Sequence, residues 1–285
     1  MFQIISKAVM AQGSVVQNEI MAPLVAANAK PGQFLILRVD ETGERIPLTI
    51  SDSDPKAGTV TIVYQVVGRT TSQLAALEPG GGIRDVVGPL GQPTDIRNVG
   101  TVVCVGGGSA AAVLRPIIRG FKAAGNKVVS IVGARSQDLV ILEEQIKSAS
   151  DELHICTSDG SYGRSGFVTD VLREILEKDE GEIKEVVAIG PIPMMKACCD
   201  VTAEFKVKTL VSLNALMVDG TGMCGCCRVM VGGQVRFACV DGPEFDGHLV
   251  DFDALSARLS AYRAHELESK EHHDACQCED QGAKA

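Results

Sequence analysis

Apolar residues follow three successive rhythms along this chain. In the first hundred residues, short runs rich in Val and Ile recur near 2–10, 14–22, 33–39, 46–51 and 59–67. Turn residues, among them Pro31-Gly32 and Gly43, separate these runs. That pattern is the mark of antiparallel strands, and it predicts a closed barrel of about six strands, since closure removes exposed edges. A short helix is expected at Thr71–Leu77, with Thr70 or Thr71 as N-cap and Pro79-Gly80-Gly81-Gly82 as its stop. From residue 100 to 212 the rhythm becomes strand alternating with helix, which predicts a parallel sheet covered on both faces. Strands are expected at Thr101–Val105, Val128–Val132, Glu152–Cys156, Val186–Ile189 and Thr209–Leu213. Helices are expected over Ala110–Ala124, over about 167–178, and from Met194 onward.

The third rhythm is short and broken by glycine. Arg228–Val231 and Val235–Ala238 flank Gly232-Gly233-Gln234, a hairpin by its turn. Asp241–Gly247 reads as a turn-rich loop. Asp251–Glu268 reads as one amphipathic helix with Phe252, Leu255, Leu259 and Tyr262 on one side. The polar stretch Ser269–Ala285 is expected to be unstructured. The fold class is therefore β plus α/β: a β-barrel over 1–98, an α/β domain over 99–212, a loop and hairpin over 213–250, and a helix with a mobile tail over 251–285.

Composition narrows the function. A net charge of −9 argues against nucleic acid as a partner. The absence of tryptophan and the 4% aromatic content argue against a base-stacking platform. No apolar run is long enough to span a membrane, and the start, MFQIISKAVM, lacks a signal-peptide core with a cleavage site. Ten cysteines without a secretion signal imply a reducing, cytoplasmic setting. Cys104, Cys156, Cys198 and Cys199 are expected to be buried small hydrophobes.

The other cysteines carry a pattern. Asp219, Cys224 and Cys227 are spaced Asp-x4-Cys-x2-Cys, and Cys239 follows after eleven residues. Plant-type 2Fe-2S ferredoxins use Cys-x4-Cys-x2-Cys and a distant fourth cysteine. Aspartate in first place is harder than thiolate but still anionic, so iron ligation remains possible. Gly220, Gly222 and Gly225 leave room for backbone to approach sulfur. The competing reading is a structural zinc knuckle, which favours paired Cys-x2-Cys or Cys/His sets; this loop holds one pair, one single cysteine and no histidine. Cys226 lies between two candidate ligands and is expected to point elsewhere. His248 reads as a surface-loop residue. Cys276 and Cys278, near His272 and His273, form a weak metal candidate in the tail.

Two stretches of the first region could hold a phosphate-bearing ring system. One is Arg45–Ser51 on a strand, and the other is Val67–Ser72 before the short helix. An arginine can pair with phosphate, and a helix start with free amides is an anion site. In the second region, Gly106-Gly107-Gly108 joins a strand to a helix, where backbone amides can reach a pyrophosphate. Arg135 stands after the second strand, where an acidic residue would meet a ribose. It can stack on adenine or bind a 2′-phosphate, so it leaves NAD and NADP open. Glycine also ends later strands, as in Gly190-Pro191.

This order of parts resembles the ferredoxin–NADP reductase-like family, in the branch with a C-terminal 2Fe-2S cluster. That branch includes the electron-transfer subunit of dihydroorotate dehydrogenase and the small subunit of NADH-dependent ferredoxin–NADP oxidoreductase, a bifurcating transhydrogenase also known as sulfide dehydrogenase. Met217–Gly225 and Cys239–Gly247 look most like the latter, which has aspartate rather than cysteine at the first ligand position. The resemblance implies FAD on the barrel, with Arg45, Pro47, Leu48 and Thr49 matching the flavin strand and Gly68, Thr70 and Thr71 the diphosphate loop. It implies NAD(H) on Gly106–Gly108, Asp159-Gly160 and Gly190-Pro191. It also implies a partner, a large flavoprotein subunit with FAD and 4Fe-4S clusters, with ferredoxin reached indirectly. The expected activity is hydride exchange between NAD(H) and FAD followed by single-electron steps, with no acid–base catalyst. An electron-transfer subunit for dihydroorotate or hydrogen oxidation is the alternative within the class. A zinc-stabilised regulatory subunit that senses NAD is the alternative outside it.

Overall fold

A computed structural model describes residues 1–282, with side chains described as far as residue 272. The first region consists of β1 (Phe2–Met10), β2 (Val15–Met21), α1 (Pro23–Ala26), β3 (Phe34–Arg38), β4 (Ile46–Asp54), β5 (Thr59–Gln65), α2 (Arg69–Ala76), β6 (Gly82–Ile83) and β7 (Asp85–Leu90). They form a seven-stranded antiparallel sheet in the order β6-β1-β2-β5-β4-β3-β7. Its two end strands are separated in sequence by Arg84 alone. Two residues reach at most ~7 Å, so the sheet must curl until its ends adjoin. The seventh strand was hidden from sequence because β6 and β7 are short and interrupted by glycine and proline. Side chains alternate across β3: Leu35 and Leu37 enter the barrel core, while Phe34 and Ile36 join the core outside it.

The second region comprises β8 (Thr101–Gly107), α3 (Ala111–Ala123), β9 (Lys127–Ala134), α4 (Glu143–Ala149), β10 (Glu152–Thr157), β11 (Arg164–Ser165), α5 (Val168–Glu177), β12 (Ile183–Ile189), α6 (Ile192–Phe205) and β13 (Lys208–Ser212). The same alternation divides this sheet. Val102 and Cys104 face Leu114, Ile117 and Phe121 of α3, whereas Val103 and Val105 face Leu172 of α5 and Cys198 of α6. Cys104, Cys156, Cys198 and Cys199 are buried, as expected of small apolar residues.

After β13 come β14 (Arg228–Val231), β15 (Gln234–Phe237), β16 (Glu244–Asp246), α7 (Phe252–Ser260) and α8 (Arg263–Gly282). The strand order of the second sheet is β11-β10-β9-β8-β12-β13-β16, and every neighbour is parallel except β16. Glu244–Asp246 is thus an edge strand and not the turn expected there, with Ser212 opposite Glu244 and Leu210 opposite Asp246. The expected single helix over Asp251–Glu268 breaks at Ala261-Tyr262, and α8 continues as helix to Gly282, within the stretch expected to be unstructured. The side chains of Cys276 and Cys278, and residues 283–285, lie outside the described residues.

The connector Gly91–Thr94 joins the barrel to the segment that follows β13. Gln33 Nε2 donates to the Gly91 carbonyl at 2.8 Å, and Thr94 N–H donates to Pro31 at 2.9 Å. On its other side, Gln92 N–H donates to Gly242 at 2.7 Å, Gln92 Nε2 to Val240 at 2.8 Å, and Thr94 Oγ1 to Glu244 Oε1 at 2.7 Å.

Burial at this junction lifts the Glu244 carboxyl from 4.5 to about 7; the Thr94 hydrogen bond and Lys208 oppose the shift, and the charge of Glu185 adds to it. The folded chain therefore holds a proton that the unfolded chain has already lost. The stability tied to neutral Glu244 is complete below pH 4.5 and disappears as pH rises to about 7. Glu244→Gln is expected to flatten the fall in Tm across this window; an unchanged slope would assign it to another group.

Candidate electron-transfer site

The cysteine loop is held by its own backbone amides. Asp219 accepts from Thr221 N–H through Oδ1 and from Cys224 N–H through Oδ2, each at 3.0 Å. These bonds, led by that of Thr221, keep its carboxyl below the ordinary value. Cys227 and Cys239 are buried with their sulfurs 3.1 Å apart, and Cys239 N–H donates to the Cys227 sulfur at 3.5 Å. Burial lifts the Cys239 thiol to about 12. The Cys226 amide lowers the Cys224 thiol, which is exposed. The four residues thus stand as two pairs, 219 with 224 and 227 with 239. Among the described residues, no three His, Cys, Asp or Glu side chains converge closely enough for one metal ion. Two pairs of anionic donors suit a two-iron cluster, in which each iron takes two protein ligands.

Gly220, Gly222 and Gly225 have φ of +76°, +84° and +68°, the left-handed region that favours glycine. A Cβ on Gly220 would lie 2.6 Å from Leu90 Cδ1 and 2.9 Å from Ile36 Cγ1. The loop is therefore seated directly on the outer face of the barrel. Arg258 of α7 holds it from behind, donating to the Cys226 carbonyl at 3.0 Å. His248 is exposed, and its Nε2 lies 3.0 Å from Thr202 Oγ1, away from the cysteines.

The two barrel stretches singled out by sequence come together. β4 pairs with β3 over Ile46–Thr49 but with β5 only from Ile50 on. The backbone of Ile46–Thr49 thus has one edge without a strand partner, beside the start of α2. Thr70 Oγ1 donates to Glu44 Oε2 at 3.1 Å and ties the two stretches to each other. The N-cap of α2 is Gly68, not the threonine expected. Thr71 is spent on the turn: its hydroxyl accepts from Val67 and Gly68 amides and donates to the Gly68 carbonyl. Arg45 is exposed, and neither it nor Arg69 forms a salt bridge among the described residues. Arg69, at the first position of α2, is a candidate that sequence reading missed; its place beside Gly68 was the available signal.

The glycine turns singled out in the second sheet, Gly106–Gly108, Asp159-Gly160 and Gly190-Pro191, lie at the carboxyl ends of their strands. β8 and β12 are neighbours whose flanking strands run outward on either side, which makes the switch point where such sheets bind ligands. Gly106–Gly108 and Gly190-Pro191 meet there. A Cβ on Gly107 would lie 2.5 Å from Met194 Sδ and 3.1 Å from Pro191 Cδ, and one on Gly190 would lie 2.6 Å from Met194 Cε. Gly108 (φ +60°) has nothing within 4 Å of a Cβ, so the space over it is open. No side chain caps α3; a 3-10 turn over Gly108–Ala110 precedes it and takes the Ala111 amide, so the amides at the mouth of the crevice are those of the turn itself. β9 extends to Ala134, beyond the expected end, and presents exposed Arg135 at the rim. Asp159 N–H donates to the Arg135 carbonyl at 3.1 Å, which sets Asp159-Gly160 beside it. Bonds from the Ser161 hydroxyl and amide hold the Asp159 carboxyl low.

Residues 214–251 match the iron–sulfur cluster binding domain of dihydroorotate dehydrogenase B. A Thermotoga maritima protein, a homolog of the dihydroorotate dehydrogenase B (NAD(+)) electron transfer subunit, is 48% identical over 88% of this chain and 88% of its own length. The electron transfer subunit of that enzyme from Shouchella clausii is 38% identical over 78% of this chain and 86% of its own. A solved structure of NADH-dependent reduced ferredoxin–NADP oxidoreductase, described for flavin-based electron bifurcation, superposes with a TM-score of 0.91 at 44% identity. It covers 95% of this chain and 97% of that one. A ferredoxin reductase of 19% identity shares the fold, with a TM-score of 0.57 over 72% of this chain and 65% of its own. A curled flavoprotein-type barrel, a doubly covered sheet and an iron–sulfur module in this order identify the chain as an oxidoreductase electron-transfer subunit, and it belongs to the family of dihydroorotate dehydrogenase B electron transfer subunits and their homologues.

Proposed function

We propose that this chain is the NADH-oxidising subunit of an NADH-dependent ferredoxin:NADP oxidoreductase. What supports this reading most is the loop from Asp219 to Cys239, seated on the barrel strand that neighbours the open edge of β4. The 44% identity to the bifurcating oxidoreductase adds to it. When bound, FAD takes hydride from NADH and yields single electrons to a 2Fe-2S cluster.

The residues of the chain bind and orient these groups. The free backbone edge of Ile46–Thr49 and the side chains of Arg45 and Arg69 hold the flavin and its phosphates. The amides that follow Gly68 face the same phosphates, helped by the helix start. Gly106–Gly108, Gly190 and Pro191 hold the pyrophosphate and nicotinamide end of NAD(H), and Arg135, Asp159 and Gly160 hold the adenosine end. Asp219 and Cys224 form one ligand pair, and Cys227 and Cys239 the other. None of these residues needs to move a proton for hydride transfer.

The partner is a large flavoprotein subunit with FAD and 4Fe-4S clusters, which reaches ferredoxin in turn, and the complex works in the cytoplasm. No described helix is long and apolar enough to cross a membrane. Anaerobic purification followed by a visible spectrum tests the assignment: flavin and cluster bands are expected, and a chain without absorbance from about 400 to 550 nm would reject both groups. Arg69→Ala is expected to weaken flavin retention about tenfold, the effect of one lost charge-assisted hydrogen bond. Flavin content after gel filtration measures it. A second reading, electron transfer from dihydroorotate, is favoured by the names of the relatives; dihydroorotate-dependent reduction of the co-purified complex decides between them.

A further inference from the structure

The register of the barrel places the cysteine loop very near the proposed flavin strand. Pro47 on β4 lies opposite Ile36 on β3, and neighbouring strands are ~4.8 Å apart. Gly220, next to Asp219, rests on that same Ile36 and on Leu90. One strand of protein therefore separates the two electron carriers at this point.

The loop is not attached to the barrel covalently here. It is pressed there by the connector. Val240, which follows Cys239, packs on Gly222: a Cβ on that glycine would lie 3.1 Å from Val240 Cγ2. Gln92 holds Val240 through its side-chain amide at 2.8 Å and Gly242 through its backbone N–H at 2.7 Å. Thr94 holds Glu244 at 2.7 Å. The connector is in turn fixed to the barrel at Gln33 and Pro31.

We propose that Gln92 is a positioning residue for electron transfer, fastening the cysteine loop to the barrel and so setting the gap between flavin and cluster. The inference rests on the proposed function, because it presumes both carriers. It assigns no contact between Gln92 and either group. Gln92 acts through Val240, Gly222 and Gly220.

The test uses the full chain, loaded with flavin and cluster, in three variants. Gln92→Ala removes the side-chain bond. Gln92→Glu keeps the size but sets a carboxylate against the Val240 carbonyl. Thr94→Val cuts the same fastening further from the cysteines. Flavin reduction by NADH in stopped flow is expected to keep its rate, while the later electron redistribution to the cluster slows about tenfold in Gln92→Ala. Gln92→Glu is expected to slow it further. The cluster midpoint potential and EPR signal are expected to stay as in the parent. In the metal-free chain, amide hydrogen exchange at Gly220–Cys224 is expected to accelerate about tenfold.

Unchanged redistribution with both groups retained would overturn the proposal. So would loss of iron from both Gln92→Ala and Thr94→Val, since the fastening would then be needed for binding and not for spacing. A parent chain that never binds flavin or iron would instead reject the functional reading on which the proposal stands.

Discussion

A Cys239→Ser variant is expected to purify with its flavin but without iron. Serine preserves the size of the side chain and can still hydrogen-bond. Its hydroxyl is a harder and weaker donor to iron than a thiolate and must lose a proton that thiols give up far more easily, so the cluster is expected to be lost. Cys239 is buried and its sulfur faces that of Cys227 at 3.1 Å, so the substitution removes one donor of a pair. Cys226→Ser is the control. Its backbone carbonyl is held by Arg258, and its thiol lies beside Cys224 and outside the buried pair. That variant is expected to keep its iron. Iron analysis and the visible spectrum read both outcomes together, and a Cys239→Ser protein with a full complement of iron would remove this residue from the ligand set. The flavin band should be unchanged in either case, because the curled barrel has a core of its own around Leu35, Leu37 and Ile62.

The second large effect belongs to Gly107. A valine there would drive its branches into Met194 and Pro191, against which even a single Cβ is too close. The cheaper adjustment is for Met194 to swing out into the crevice at the switch point, where the nucleotide would lie. NADH affinity is expected to fall about 100-fold, or 2.7 kcal/mol, with the flavin and iron spectra untouched. Titration of flavin reduction against NADH measures it. An affinity equal to the parent would move the nucleotide away from Gly106–Gly108.

Much of this architecture was legible in the residue pattern, and the failures share a cause. Long runs with a strong rhythm, such as Thr101–Val105 or Val128–Val132, gave real elements because burial repeats along the whole run. Elements of two or three residues carry no such repeat. Glu244–Asp246 sits between Gly242-Pro243 and Gly247 and looks like a turn; it is a strand because β13 offers an unpaired edge, a fact about distant sequence. α4 was missed for a local reason: it begins after Leu142 in the left-handed region, without the capping residue that announces a helix. At the site, cysteine spacing was readable because it follows from how a loop wraps a metal group. Gln92 was not. The bonds of Gln92 to Val240 and Gly242 span about 150 positions, and no local pattern records them.

β16 ends the cysteine module and is also the outermost strand of the nucleotide sheet, with Glu244 paired to Ser212 at the crevice end of β13. A protein that grips the β14–β15 hairpin therefore has a handle on that sheet. The hairpin is bonded to the segment that follows β16, through Gly232 N–H to the Leu249 carbonyl at 2.7 Å and Asp251 N–H to the Met230 carbonyl at 2.9 Å, and β16 is bonded to β13 by its ladder. The cysteine module is therefore no free lobe: swinging it away would have to break the β13–β16 ladder at the edge of the second sheet.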